Sequence, residues 1–464
     1  MTSRGLVLGS PRELGTVGLV SGLCGAYAAV LIMTAVILSA TAREPGDAMA
    51  ALLGVVATVF IGIAVYVAAI VIVNAVDTVL AGRLPQIALL RLLGARGRSL
   101  RTAVIRGTTL TGIAGAQVGT VLGTVVADAF RVLLVSRGTM PDVEYPVVTP
   151  LLVLPVLTMA PACALAGWVG SRRILRASPA GALTDSAVAV PLHRRMSVLR
   201  VVVAVLLLAG GALLLVLAMA LGEGSTAAGL IVAFAGSVTA GTGLLVGARF
   251  VIPGLVRASG RLLGGGPVAR VAGRNAVLDP LRTTRSTMGL VVGVTLVTTF
   301  ASGLRALQRS VDSWEGLSPE QQVQTHQVLT TTTAITVAIV VISSVISAVG
   351  FVSTMSLTVI QRRREIGLLR TLGLTRHQVR RMITLEAAAL SGTAVALGMA
   401  LGLVFGSVGA QSLVGSQTDG FVWGLPWGIL AVIAVAGVLL VLASARPPAR
   451  RAIRVSPIEA LRVP

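Results

Sequence analysis

The residues able to carry chemistry are sparse in this sequence, and one stretch gathers many of them. "QRRREIGLLRTLGLTRHQVRRMITLEA", Gln361–Ala387, is rich in arginine and follows Val328–Ile360, which carries no charge. A blurred copy, "LPQIALLRLLGARGRSLRTAVIRG", occupies Leu84–Gly107. Arginines in this density suit two tasks: anchoring helix ends against anionic lipid head groups, or docking a partner protein. The residues of enzyme chemistry are missing. A G-x-x-x-x-G-K-[ST] phosphate loop is excluded because the chain has no lysine. H-E-x-x-H, G-x-S-x-G and C-x-x-C are absent. The three histidines, His193, His326 and His377, fall outside the apolar spans. Cys24 and Cys163 lie inside them, without metal-ligand spacing, and read as small packing residues. Paired acids within spans, the mark of ion coupling, are nearly lacking. Asp77 closes one span, and Asp128 ends another with Arg131 one turn on; both read as interfacial.

The elements that must position the arginines are membrane helices. Of 464 residues, 55% are hydrophobic and 12% charged, and mean hydropathy is +0.91. Stretches of eighteen or more nearly uncharged residues recur, so the chain is polytopic in a membrane. Ten apolar spans are expected near 15–42, 49–76, 103–127, 148–170, 200–221, 226–248, 287–304, 329–360, 384–411 and 425–444. Met1–Ala42 ends in "SATA", but its apolar stretch is too long for a signal peptide, and it reads as a retained first span. With ten spans both termini share a side. That side holds 33 of the 38 arginines and 7 of the 17 acids; the other holds 5 arginines and 10 acids. The positive-inside rule makes the arginine-rich side cytoplasmic. The same distribution accounts for the net charge of +21 without nucleic acid. The outer loops are short, the longest being Arg305–Gln327, too small for a domain with its own core.

The chain repeats itself. Slid along itself until Ile87 meets Ile366, it also brings Leu89, Leu90, Arg91, Leu93 and Gly94 onto Leu368, Leu369, Arg370, Leu372 and Gly373. In the same register Gly119 and Gly123 fall on Gly398 and Gly402. One position out of that register, "RRILRASPAGAL" (Arg172–Leu183) meets "RRAIRVSPIEAL" (Arg450–Leu461). Six crossings separate equivalent points, so the repeats are parallel, related by a pseudo-two-fold along the membrane normal. The expected fold is all-α and polytopic: ten transmembrane helices as two parallel four-helix repeats (residues 1–185 and 266–464) joined by two linking helices (186–265), with cytoplasmic stalk and coupling helices.

Val328–Leu372 contains no proline, and one helix over it would be about 66 Å long, well beyond the roughly 30 Å hydrocarbon core. It should stand into the cytoplasm as a stalk. Gly373 suits the left-handed position that ends a helix. Thr375 then opens a return helix with Gln378 at capping-box spacing. Ile366 and Leu369, at i and i+3 with Gly373 close by, make a small apolar knob among arginines, suited to docking a partner. In the first copy Pro85 stands where Arg364 stands and the Thr–Gln capping box is absent, so the halves are not expected to be equal.

These residues resemble the FtsX/MacB-type permeases of ABC transporters. The resemblance rests on "RRREIGLLRTLGLTRHQVRRMITLEAAALSGTAVALGMALG", on the closing "RRAIRVSPIEALR", and on "ARVAGRNAVLDPLRTTRSTMG" (Ala269–Gly289). It implies a separate cytoplasmic ABC ATPase, two copies per pair of repeats, which would bind the ATP and magnesium; this chain would hold no cofactor and be no enzyme itself. It also implies that Glu365, Arg370, Gly373 and Glu386 are coupling-region positions, with Arg91 and Gly94 as first-half equivalents. The expected location is the bacterial plasma membrane, multi-pass with both termini cytoplasmic and lipid as the surrounding partner. "TAREPGDAM" (Thr41–Met49) stands where many relatives carry a large outer domain, so the expected work is export or extraction of an amphipathic, lipidic or peptide substrate. Two other readings stay open: an ion-coupled secondary transporter, and a non-transporting transmembrane signalling protein.

Overall fold

The computed structural model describes residues 11–41, 54–76 (apart from 57, 60, 64 and 75), 94–136, 149–176, 198–224, 228–262, 272–274, 280–312, 333, 363–417 and 420–454. Among these residues the protein is helical, with no strands. In chain order the helices are α1 (Pro11–Thr41), α2 (Gly54–Asn74), α3 (Gly97–Ser136), α4 (Val153–Arg176), α5 (Val198–Glu223), α6 (Ala228–Leu262), α7 (Pro280–Asp312), α8 (Arg363–Thr371), α9 (Arg376–Val414) and α10 (Trp427–Arg454). Eight of them, α1 to α7 and α9, are long and apolar enough to cross a membrane. They coincide with eight of the ten expected spans. α10 carries a shorter apolar helix, Trp427–Leu439, where the last span is expected. The expected eighth span, 329–360, and the long stalk lie outside the described residues, except for α8 at the stalk's end and Thr333.

Several helices overrun their apolar windows. α7 continues past the expected boundary at residue 304 to Asp312, and α9 begins at Arg376, ahead of the expected 384. Hydropathy marks where hydrocarbon ends, whereas a helix continues in polar surroundings until a cap stops it.

The helices form two compact units, α1–α4 in the first and α5–α10 in the second. The first is built on α1 laid along α3. Gly115 sits on Gly18, Gly119 on Gly22 and Gly123 on Ala26, so contacts advance four residues at a time in the same direction on both helices. The two helices are therefore parallel, packed backbone to backbone through small residues. A methyl group on Gly119 would overlap the carbonyl of Gly22. α4 closes the core with Met159 and Cys163, both fully buried and clustered with Val20, Cys24 and Ile72. At the other edge Arg101 of α3 lies 5.3 Å from the ring centre of Trp168 on α4.

The second unit repeats that arrangement between α7 and α9. A Cβ on Gly398 would come 2.8 Å from Val294, and one on Gly402 would come 2.5 Å from Thr298. Gly406 follows against Ser302 and Gly303. The run is again parallel. Gly398 and Gly402 are the sequence equivalents of Gly119 and Gly123, so equivalent glycines make equivalent contacts within each unit. α5 and α6 pair antiparallel, with Gly211 on Ala240 and Gly236 on Leu215. Their joined ends clasp α9 at Ser412 through Gly222 and Gly229.

At that end of α9 a polar latch fixes the segment leading to α10. Ser302 Oγ donates to the carbonyl of Gly424 at 2.7 Å, and Gly424 N–H donates to Ser407 Oγ at 3.1 Å. Buried Gln411 holds the Gly420 carbonyl at 3.1 Å, and Arg309 the Trp423 carbonyl at 2.6 Å. These side chains satisfy backbone groups that no helix ladder satisfies.

A candidate coupling hairpin

The basic stretch folds as α8, a tight turn and α9. The turn is a Schellman motif. Gly373 N–H donates to Arg370 O at 3.1 Å and Leu374 N–H to Leu369 O at 3.1 Å. Gly373 has φ 97°, a left-handed conformation that costs any residue with a Cβ about 1–2 kcal/mol. α9 then opens on the expected capping box: Thr375 Oγ1 accepts from Gln378 N–H at 3.3 Å, and Thr375 N–H donates to Gln378 Oε1 at 2.9 Å. One helix is stopped and the next begun between Thr371 and Arg376.

This geometry decides which leucines point where. Leu369 and Leu374, the C3 and C″ positions of the motif, pack onto the unit's own core with Val379, Met382 and Ile383. Leu369 is therefore turned toward the core, whereas the docking knob expected of Ile366 and Leu369 needs it outward. The exposed apolar surface belongs to Leu368, 48% exposed, and Leu372, 77% exposed, one turn apart and ending at the cap. The sequence did hold a signal for this. A Schellman turn pairs its C3 and C″ side chains, so Gly373 at C′ already commits Leu369 and Leu374 to each other.

Arg376, His377, Arg380 and Arg381 are exposed around the turn. Arg370 is half-buried and engaged within the protein. Glu365 and Ile366 lie in α8, with their side chains outside the described residues, as is Arg91 altogether. Glu386 is 2% exposed and engaged inside the bundle. A group so enclosed offers almost no surface to anything outside the bundle.

In the first half Gly94 has φ 90°. Gly94 and Gly373 hold equivalent places in the two repeats and share the left-handed turn. The helix after Gly94 starts differently: Ser99 Oγ donates back to Arg96 O at 2.7 Å in place of a capping box. Elsewhere, Asp128 and Arg131 form an i, i+3 ion pair at 2.7 Å. Cys24 and Cys163 are free thiols in the first unit's core. No group of three metal-ligating side chains occurs among the described residues.

A multi-pass helical chain that repeats a left-handed glycine turn and a parallel helix pair in each half has the build of a duplicated membrane permease. Residues 58–179 and 337–457, together more than half the chain, match the family described as FtsX-like permease C-terminal, and the chain belongs to that family. The starts of the two matches, 58 and 337, stand in the register that sets Ile87 on Ile366. Their ends, 179 and 457, stand in the register that sets Arg172 on Arg450. The family matches and the chain's alignment with itself therefore mark the same duplication. The first match takes in most of α2, the turn at Gly94, α3 and α4; the second takes in the turn at Gly373, α9 and α10. The chain is also 28% identical over 163 residues to an uncharacterized ABC transporter permease of Methanocaldococcus jannaschii. That alignment covers 34% of this chain and 40% of the relative.

Proposed function

We propose that this permease is the membrane subunit of an ABC transporter, driven by a separate cytoplasmic ATPase that seats on the two hairpins. The observation that carries this reading is the hairpin at Gly373. It exposes two leucines on a segment that also exposes Arg376, Arg380 and Arg381, and is continuous, through a capped start, with a helix of 39 residues. Such a surface suits a partner that buries the leucines and meets the arginines with acids.

Ten spans in two four-helix repeats fit the helix directions. α7 and α9 run parallel, so a further crossing between them is called for, and the expected span at 329–360 would supply it. Arginine distribution then makes the hairpin side and both termini cytoplasmic, in a bacterial plasma membrane. Two ATPases closing on bound ATP would push the turns at Gly94 and Gly373. α9 contains no proline, and by helix rise it is about 58 Å long, enough to conduct the push to the latch at Gln411 and Ser407. The substrate class this favours is amphipathic, lipidic or peptidic, moved within or drawn from the bilayer, because no outer loop is long enough for a binding domain.

The test is capture of partners by the tagged full-length chain from its native membranes. Recovery of a Walker-type ATPase, lost when the exposed Arg380 and Arg381 are both changed to Glu, is the expected result. Transport that survives ATP depletion and collapses with an uncoupler would refute the reading.

A further inference from the structure

We propose that the linking helix α6 is a positioning element of the second coupling hairpin, bracing it from outside the repeat to which the hairpin belongs. The purpose of the brace rests on the coupling reading above; the contact itself does not. Ala248, Ile252 and Val256, spaced four apart, place one face of α6 in a core with Val379, Met382, Ile383 and Leu390 of α9. All three are fully buried. Leu369 and Leu374, the inward leucines of the turn, pack against that same core. Ser259, one turn on, sets its Oγ 2.9 Å from Thr393 Oγ1 and 3.4 Å from the Ala389 carbonyl. α6 is thereby tied to α9 near the middle of that helix by this polar contact and at the far end by Gly229 on Ser412.

The first unit has no such brace among its described residues. Its corresponding core takes Val17 and Val20 from α1, Ile72 from α2, Leu100 and Val104 from α3 and Met159 from α4, with Ala95 packed on it. Ala95 is the sequence equivalent of Leu374. Every helix contributing there belongs to the same four. The two hairpins therefore share a turn and differ in support: the second is held by a helix that lies outside the repeat. The inserted pair α5–α6 then does more than join the halves. It stiffens one of the two points at which a partner would push, and the asymmetry of the hairpins is built into the packing as well as into their sequences.

The test is hydrogen exchange by mass spectrometry on the full chain in lipid nanodiscs, without any ATPase. Val256→Ala combined with Ser259→Ala should accelerate exchange over residues 363–381 by about tenfold, while residues 94–106 keep wild-type rates. Ser259→Ala alone, a milder change, should accelerate the same segment by less. Ser259→Thr, which keeps the hydroxyl, should restore protection. Unchanged exchange at the second hairpin would overturn the brace. Equal acceleration of both hairpins would overturn it too, since that is general destabilisation. Failure to capture an ATPase would sink the functional reading and leave this result standing, so the two failures are distinguishable.

Discussion

Leu372 separates docking from folding. Complete burial of a leucine side chain is worth about 1.5–3 kcal/mol. Leu372 is 77% exposed, so a partner that covers it gains about 1–2 kcal/mol. Leu372→Ala should therefore weaken ATPase binding about five- to thirtyfold. The fold should not notice, because an exposed side chain at a helix end changes stability by about 0.5 kcal/mol or less. Leu369→Ala is the counterpart: it opens a cavity against Val379 and Met382 and should cost about 1–3 kcal/mol of stability. The assay is paired. Thermal unfolding of the purified chain reads stability, and titration of the ATPase recovered with the wild-type chain reads affinity. The expected pattern is binding lost without stability for Leu372, and stability lost first for Leu369. If Leu372→Ala binds as wild type while Leu369→Ala fails to bind at unchanged melting temperature, the assignment of faces is wrong.

Other outcomes follow from the same geometry. Thr375→Ala should destabilise the start of α9 by about 1 kcal/mol. Because Thr375 and Gln378 serve each other, the double variant should cost less than the sum of the singles, measured as a double-mutant cycle. Gly402→Ala should lower the melting temperature by overpacking at Thr298 and the α7 backbone, whereas Gly409→Ala on the same helix meets nothing within 4 Å and should raise it. Gly424→Ala would overlap the Ser302 carbonyl; it should lower the melting temperature and leave ATPase capture unchanged, since the latch is at the far end of α9. A cysteine replacing exposed His377 should react with an impermeant thiol reagent in inverted vesicles and not in intact cells, with Cys24 and Cys163 silent because they are buried.

Much of the fold could be read from the residues because its determinants are local or periodic. Span positions follow from apolar runs. The turn at Gly373 and the capping box at Thr375 are set by residues close together in the chain. The glycines at 119, 123, 398 and 402 could be paired by offset alone, and each turned out to be a backbone contact in its own unit. What stayed hidden depends on rotation about a helix axis or on distant partners. Whether Leu369 or Leu372 faces outward is a matter of one turn of rotation, decided by the core beneath. Ser302, Ser407 and Gly424 come from three separate segments and carry no pattern that joins them. The place of α6 leaves no repeat signal in the sequence, because the chain's self-similarity marks what occurs twice and the packing of α6 on α9 occurs once among the described residues.

That last point bears on how a single chain could serve two motors. A duplicated permease with equal halves would offer identical footholds, and a symmetric ATPase pair would load both alike. Here the two turn glycines share a left-handed backbone, with φ 90° and 97°, so the proposed footholds would match there. The supports differ: the second turn is capped by Thr375 and Gln378 and backed by α6, while the first lacks both among its described residues. Under equal load the less supported hairpin yields more. If a paired ATPase seats on both turns as proposed, the push on the first half would be partly absorbed locally, and the push on the second would pass into α9 and on to the latch. On this argument α9 is the principal conductor of work, and variants in the second hairpin should uncouple the transporter more severely than their equivalents in the first. Gly94→Ala and Gly373→Ala introduce the same strain at both turns, so comparing their substrate-dependent ATPase rates measures the asymmetry directly. Equal losses would show that the support beneath the turn does not matter.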